Sequence, residues 1–185
     1  MPMLYVTHSA EEMLRLADHL VLLRQGRVTA QGPPAEVLIC GHGSAAADGP
    51  IGALFDGHVT ALDRDFGLCS VNIGGIDLWL PDAGSAIGSS VRVLVSADQI
   101  SLSRSPSRDG AALNALSCSI TGIADDRHPA LALVSLSCGQ QMLVARVARR
   151  ALADLGLRIN SPAWAQVDRA TILPVYSATG AAAPP

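Results

Sequence analysis

From about Ala53 to Val175 apolar residues fall in short β-rich runs with turn residues between them. Many short strands with only one convincing helical stretch predict a mainly β fold of small barrels. The pattern also repeats. LFDGHVTALDRDFGLCSVNIGGIDLWLP followed by SSVRVLVSADQISLS is echoed by LSCSITGIADDRHPALALVSLSCGQQMLVARV followed by SPAWAQVDRATILP. In each copy a strand leads through an acidic turn (Asp63-Arg64-Asp65; Asp125-Asp126-Arg127) to a second strand. A tight turn at Gly74-Gly75 or Cys138-Gly139 leads to a third, and the copies close on Gln-Ile-Ser-Leu or Ala-Thr-Ile-Leu. Two units, 53–105 and 112–175, are expected, with the polar joint SRSPSRDGAA between them. The copies differ in one connection. ARRALADLGL places Ala148, Leu152 and Leu155 on one helical face with Gly156 as a C-terminal cap, whereas PDAGSAIG predicts a loop.

Residues 1–38 follow a different rhythm. Ser9 and Glu12 form an S-x-x-E capping pattern, and Met13, Leu14, Leu16 and Ala17 give one apolar helical face. DHLVLL then reads as a buried strand, turning at Arg24-Gln25-Gly26 into RVTAQG. Pro33 and Pro34 suit the first turn of another helix, PPAEVL. Residues 39–52, ICGHGSAAADGPIG, lack periodicity and read as a linker, and 176–185 as a disordered tail.

Composition narrows the function classes. The 185 residues are 49% hydrophobic and carry a net charge of −3, so there is no basic field for nucleic acid, and only six aromatic residues are available to stack on bases. No apolar run approaches the ~20 residues of a membrane-spanning helix, and no signal peptide opens the chain; a cytoplasmic location is expected. Cys40, Cys69, Cys118 and Cys138 lack metal-ligand spacing and read as reduced core residues, with no metal site. No nucleophile sits beside a base and no carboxylates pair at catalytic spacing, so no enzymatic role is expected.

Two resemblances sharpen this. LYVTHSAEEMLRLADHLVLLRQGRVTAQGPPAEVL resembles the end of an ABC-transporter ATPase domain: strand, histidine, capped helix, hairpin and QGPPAEV occur in that order. His8 matches the family's switch histidine, which contacts the γ-phosphate; the alternative is a strand-end histidine with nothing to touch. No G-x-x-x-x-G-K-[S/T] occurs in the sequence, and no acidic strand end precedes His8 to hold magnesium, so the chain alone is expected not to hydrolyse ATP. The apolar surfaces of Leu4 to Val6 and Leu20 to Leu23 should then be exposed or repacked. LVARVARRALADLGL with WAQVDRATIL is similar to the Mop-type (TOBE-class) pattern of leucine/tryptophan-Ala-Arg-Ile, helix, Glu-Leu-Gly-Leu and Tyr-Ala-Gln-Ile-Lys. Together they resemble the ATP-binding subunits of bacterial molybdate importers. The resemblance implies two OB-like Mop/TOBE units behind a truncated α/β ABC-ATPase tail. It also implies a dimer made by exchange between regulatory domains, and molybdate or tungstate bound near unit or subunit boundaries.

A tetrahedral dianion needs amides, hydroxyls and one or two cations aimed inward. The candidate donors are Asn114, Arg146 in the VARV strand, and Arg169 and Thr171 on the last strand. Arg146 and Arg169 alternate with apolar residues and equally suit solvent-facing strand positions. Where Mop units commonly begin Ser-x-Arg-Asn, this chain reads Ala111-Ala112-Leu113-Asn114, and the family's Lys-Ser or Lys-Ala step reads Asp168-Arg169. A carboxylate ~4 Å from an anion costs about 4 kcal/mol per unit charge at an effective dielectric near 20, so Asp168 opposes binding unless Arg169 turns in. Three roles follow. The first is a regulatory oxyanion-binding region of an importer ATPase, reaching the permease and the inner membrane face only through an intact subunit. The others are a free-standing molybdate storage or sensing protein, and a fragment that acts only by dimerising with intact ATPase subunits.

Overall fold

The computed structural model describes residues 3–7, 12–13, 16–34, 37, 52–106 and 113–174. In the amino-terminal part, β1 (Leu20–Arg24) and β2 (Arg27–Gly32) form an antiparallel hairpin. Its tip, Gln25-Gly26, has both residues at positive φ (50° and 74°), the left-handed geometry that matches strand twist in a two-residue turn. Leu20 is buried, while Val21, Leu23 and Val28 stand exposed, as do Leu4 and Val6. Apolar strand surface is thus left uncovered at these positions.

The remainder is almost wholly β. The first copy supplies β3 (Gly52–Asp63), β4 (Leu68–Ile73), β5 (Ile76–Pro81) and β6 (Ser90–Ser96), then a 3-10 turn (Ala97–Gln99) and β7 (Ile100–Ser103). The second supplies β8 (Asn114–Asp125), β9 (Leu131–Cys138), β10 (Gln141–Ala148), the helix α1 (Arg149–Asp154), β11 (Pro162–Val167) and β12 (Thr171–Pro174). Both copies carry a β-bulge at the same place. The register slips between Val59 and Ala61 in β3, and between Ile120 and Gly122 in β8. The long first strand of each unit bends there.

The connections behave as their composition predicts. Residues 82–89 form a loop with a turn at Ile87-Gly88, and α1 is the one helix of this region among the described residues. It ends by the glycine route: Gly156 adopts φ 60°, its N–H bonds the Ala153 carbonyl at 3.0 Å, and the Leu157 N–H reaches back to the Leu152 carbonyl at 3.0 Å. Leu152 and Leu157 are thereby both buried.

The two sheets are built by exchange. One has the order β12-β6-β3-β4-β5 and the other β10-β9-β8-β11-β7. The closing strand of each copy therefore completes the sheet of the other: β7 pairs with β11 (Ile100 opposite Val167), and β12 with β6 (Thr171 opposite Leu94). A single hydrophobic cluster runs through both sheets, with Val71, Val93 and Val95 from one and Ile120, Val134 and Leu136 from the other fully buried. Among the described residues no helix is long and apolar enough to cross a membrane.

Candidate oxyanion site

The strand exchange brings the candidate donors to the two crossover joints, the 3-10 turn Ala97–Gln99 and the segment 168–170. These joints touch, since the Asp168 N–H donates to the Gln99 carbonyl at 2.9 Å. Asn114 lies opposite Val167 in the β8/β11 pairing, one residue before Asp168. Arg146 reaches the other joint through Asp98.

Asn114 is buried and already engaged. Its Oδ1 accepts the Trp79 N–H at 2.7 Å, and its Nδ2 donates to the Trp79 carbonyl at 2.8 Å. Trp79 lies on β5, the outermost strand of its sheet, so the side-chain amide takes the place of a further strand's peptide group. Arg146 is engaged too. Its Nη1 donates to both Asp98 oxygens at 2.9 Å, and its Nε to Asp126 Oδ2 at 2.9 Å. Burial works against the Arg146 charge, and Asp98 and then Asp126 more than compensate, holding its pKa above the usual arginine value. Asp126 in turn is held below the ordinary carboxylate range, chiefly by the backbone N–H of His128 at 2.9 Å and then by Arg146 and Arg127.

Arg169 and Thr171 are different. Both are exposed, and among the described residues Arg169 has no hydrogen-bond or ion-pair partner. Asp168 beside it is also exposed. Asp98, Asp126 and Asp168 therefore stand against Arg146 and Arg169 around the joints. Two surface pockets lie elsewhere: one is lined by Asp63, Arg64, Asp82 and Ser85 among others, the second by Arg104, Gly156, Leu157, Ser161 and Pro162. His8 falls outside the described residues.

Two residues that shape this region, Trp79 and Asp98, escaped the sequence reading, and a third, Asp126, was read there only as part of an acidic turn. Trp79 acts through its backbone, which leaves no side-chain signal. Asp98 and Asp126 lie 48 and 20 positions from Arg146 and meet it only through the exchange and the β8–β10 meander. The one available cue was that Asp98 is the sole charged residue between β6 and β7.

Residues 110–173 match the TOBE domain family. The molybdenum import ATP-binding protein ModC of Methylococcus capsulatus is 37% identical over 178 residues, covering 93% of this chain and 48% of that protein. Its counterpart from Thiobacillus denitrificans is 38% identical over 172 residues, covering 90% and 46%. The chain thus spans about half the length of the curated relatives it matches. Among solved structures, the cytoplasmic molybdate-binding protein ModG, with molybdate bound, superposes with a TM-score of 0.56 at 24% identity, covering 65% of this chain and 95% of that one. That likeness establishes the fold, a mainly β, OB-like architecture. Residues 110–173 thus resemble a TOBE domain, and over nearly all its length the chain is similar to about half of a molybdenum-import ATP-binding subunit.

Proposed function

We propose that this chain is a regulatory, oxyanion-binding region of a molybdate ABC transporter's ATP-binding subunit, taking molybdate or tungstate and not hydrolysing ATP alone. The observation that carries the proposal is the likeness to molybdenum import ATP-binding proteins over 93% of the chain. The chemistry divides the candidate donors. Arg169 and Thr171, exposed at the start of the exchanged strand β12, offer a guanidinium and a hydroxyl to an anion. Asn114 and Arg146 hold the frame around them, because their polar atoms already have internal partners. Dimerisation with an intact subunit would supply both the nucleotide site and the contact with the permease.

Calorimetric titration with molybdate, beside sulfate and with the oligomeric state recorded on the same sample, tests this reading. Molybdate binding is expected, weakened roughly tenfold or more by Arg169→Gln, since a hydrogen bond to a charged group contributes about 1.5–3 kcal/mol. Asp168→Lys is expected to strengthen it by removing a like charge. No binding by either the native chain or Asp168→Lys would sink the proposal.

A second reading has its own support: 65% of this chain superposes on 95% of the ModG chain. A free-standing molybdate-binding protein would bind stoichiometrically and show no affinity for an intact ATP-binding subunit, which co-purification distinguishes.

A further inference from the structure

We propose that Arg92 is a positioning residue that ties the amino-terminal segment to the exchanged strand β12, so that events at the crossover joint are felt at Ala17 and Asp18. As regulation of the oxyanion site, the inference rests on the functional reading above; as a mechanical coupling it stands on the contacts alone.

Arg92 lies on β6 where three parts of the chain meet. In register it faces Asp56 of β3 on one side and Leu173 of β12 on the other. Its Nε donates to Asp56 Oδ1 at 3.2 Å, its Nη1 donates to the Ala17 carbonyl at 3.1 Å, and its Nη2 lies 3.6 Å from Asp18 Oδ1. A guanidinium can do this because its nitrogens point in fixed, divergent directions; an ammonium is a single point charge. The Arg92 side chain is only 16% exposed, although Asp18 and Asp56 reach well into solvent. The bond to the Ala17 carbonyl therefore contributes more than the exposed ion pairs.

The neighbours make the link mechanical. Leu54, Leu94 and Leu173 pack into a small cluster apart from the main core. The cross-strand pairs Leu54/Leu94, Asp56/Arg92 and Leu173/Arg92 put all five residues on one face of the sheet. β12 is four residues long and begins at Thr171, two positions after Arg169. A displacement of β12 by a ligand at Arg169 or Thr171 would move Leu173 against the base of the Arg92 side chain, and Arg92 would carry it to Ala17.

Hydrogen exchange of the whole chain, read on peptides covering residues 16–22, tests the link by a double-mutant cycle. Arg92→Met is expected to speed exchange there roughly tenfold or more while β8 to β10 keep their protection. Leu173→Ala should speed it as well, and the double variant should be no faster than Arg92→Met alone. Arg92→Lys should fall between, keeping one partner and losing the fork. Unchanged exchange in Arg92→Met, or accelerations that multiply in the double variant, would overturn the inference. Saturating molybdate should alter exchange of these peptides in the native chain, and Arg92→Met should abolish that response with the calorimetric affinity kept within about twofold. Binding without any response at 16–22 would also overturn it. Failure of the native chain to bind molybdate would sink the functional reading and leave the coupling to be decided by the cycle.

Discussion

The side-chain amide of Asn114 makes both backbone hydrogen bonds of Trp79, 35 residues away, at 2.7 and 2.8 Å. A primary amide has the donor and acceptor geometry of a peptide group, so one side chain of the second unit finishes an outer strand of the first. Asn114→Ala removes both bonds and is expected to cost about 2 kcal/mol, at roughly 1 kcal/mol each. Asn114→Asp keeps the acceptor for the Trp79 N–H but sets a carboxylate against the Trp79 carbonyl. It should lose stability at pH 7 and recover part of it in acid, where a protonated side chain can donate. Urea melts at both pH values read this. An Asn114→Ala variant as stable as the parent would mean that water serves Trp79 equally well.

Arg146 carries a pH-dependent prediction. Asp126 has a folded pKa below its unfolded value of about 3.9. Its contribution is therefore present above that value and is lost as pH falls through the folded pKa. Part of the depression comes from Arg146. Arg146→Met should cost roughly 1–2 kcal/mol near neutral pH, where both carboxylates lose a charged partner. The deficit should narrow by pH 3, where the parent is losing the same interactions. Parallel stability curves for parent and variant between pH 7 and pH 3 would contradict the clasp.

Much of this architecture was legible in the sequence because the main signals are local. The short β-rich runs, the repeated acidic turn and the helix ended by Gly156 all depend on neighbours in the chain. The exchange of β7 and β12 is different. Gln-Ile-Ser-Leu and Ala-Thr-Ile-Leu satisfy the same alternation and the same backbone bonds whether they close their own sheet or the other, so no residue in them reports the choice. The same limit applies to Arg146. Its alternation with apolar neighbours is compatible with an anion donor, a solvent-facing strand position or a clasp, and only the placement of Asp98 and Asp126 selects the clasp.

Gly57 marks a close approach of backbones. It lies on β3, and a Cβ there would sit 2.7 Å from the Asn72 carbonyl oxygen and 2.9 Å from side-chain carbons of Val71 and Ile73. The carbonyl belongs to the neighbouring strand and cannot yield without parting the β3/β4 pair. Gly57→Ala is expected to cost about 2–3 kcal/mol by overpacking. Gly67→Ala is the useful contrast: φ there is +64° but the space is open, so only the left-handed backbone penalty of about 1–2 kcal/mol should appear. A loss for Gly57→Ala no larger than that for Gly67→Ala in thermal melts would show that the β3/β4 pair yields to the added methyl and that the close approach costs little.

The exchange makes the two copies dependent on one another, and dividing the chain tests this. A fragment of residues 52–106 keeps β3 to β6 but lacks β12, leaving β6 as an open edge; its own β7 has lost its partner β11. A fragment of residues 113–174 has the reciprocal defect, with β11 unpaired on the side that β7 covers and β12 stranded. Each would also lose its share of a core that runs through both sheets, with Val95 on one side and Ile120 on the other completely covered in the whole chain. Neither fragment is expected to fold as a monomer. Alone, each should be unfolded or self-associated, because open edges recruit other strands. Mixed in equal amounts, they should form a one-to-one complex with a single cooperative melt, seen by light scattering and circular dichroism. The complex should weaken when Asp98→Asn in one fragment is combined with Arg146→Met in the other. A monomeric fragment with its own cooperative transition would mean that each copy can close its own sheet, and that the crossover is a choice of pairing, not a requirement of the fold.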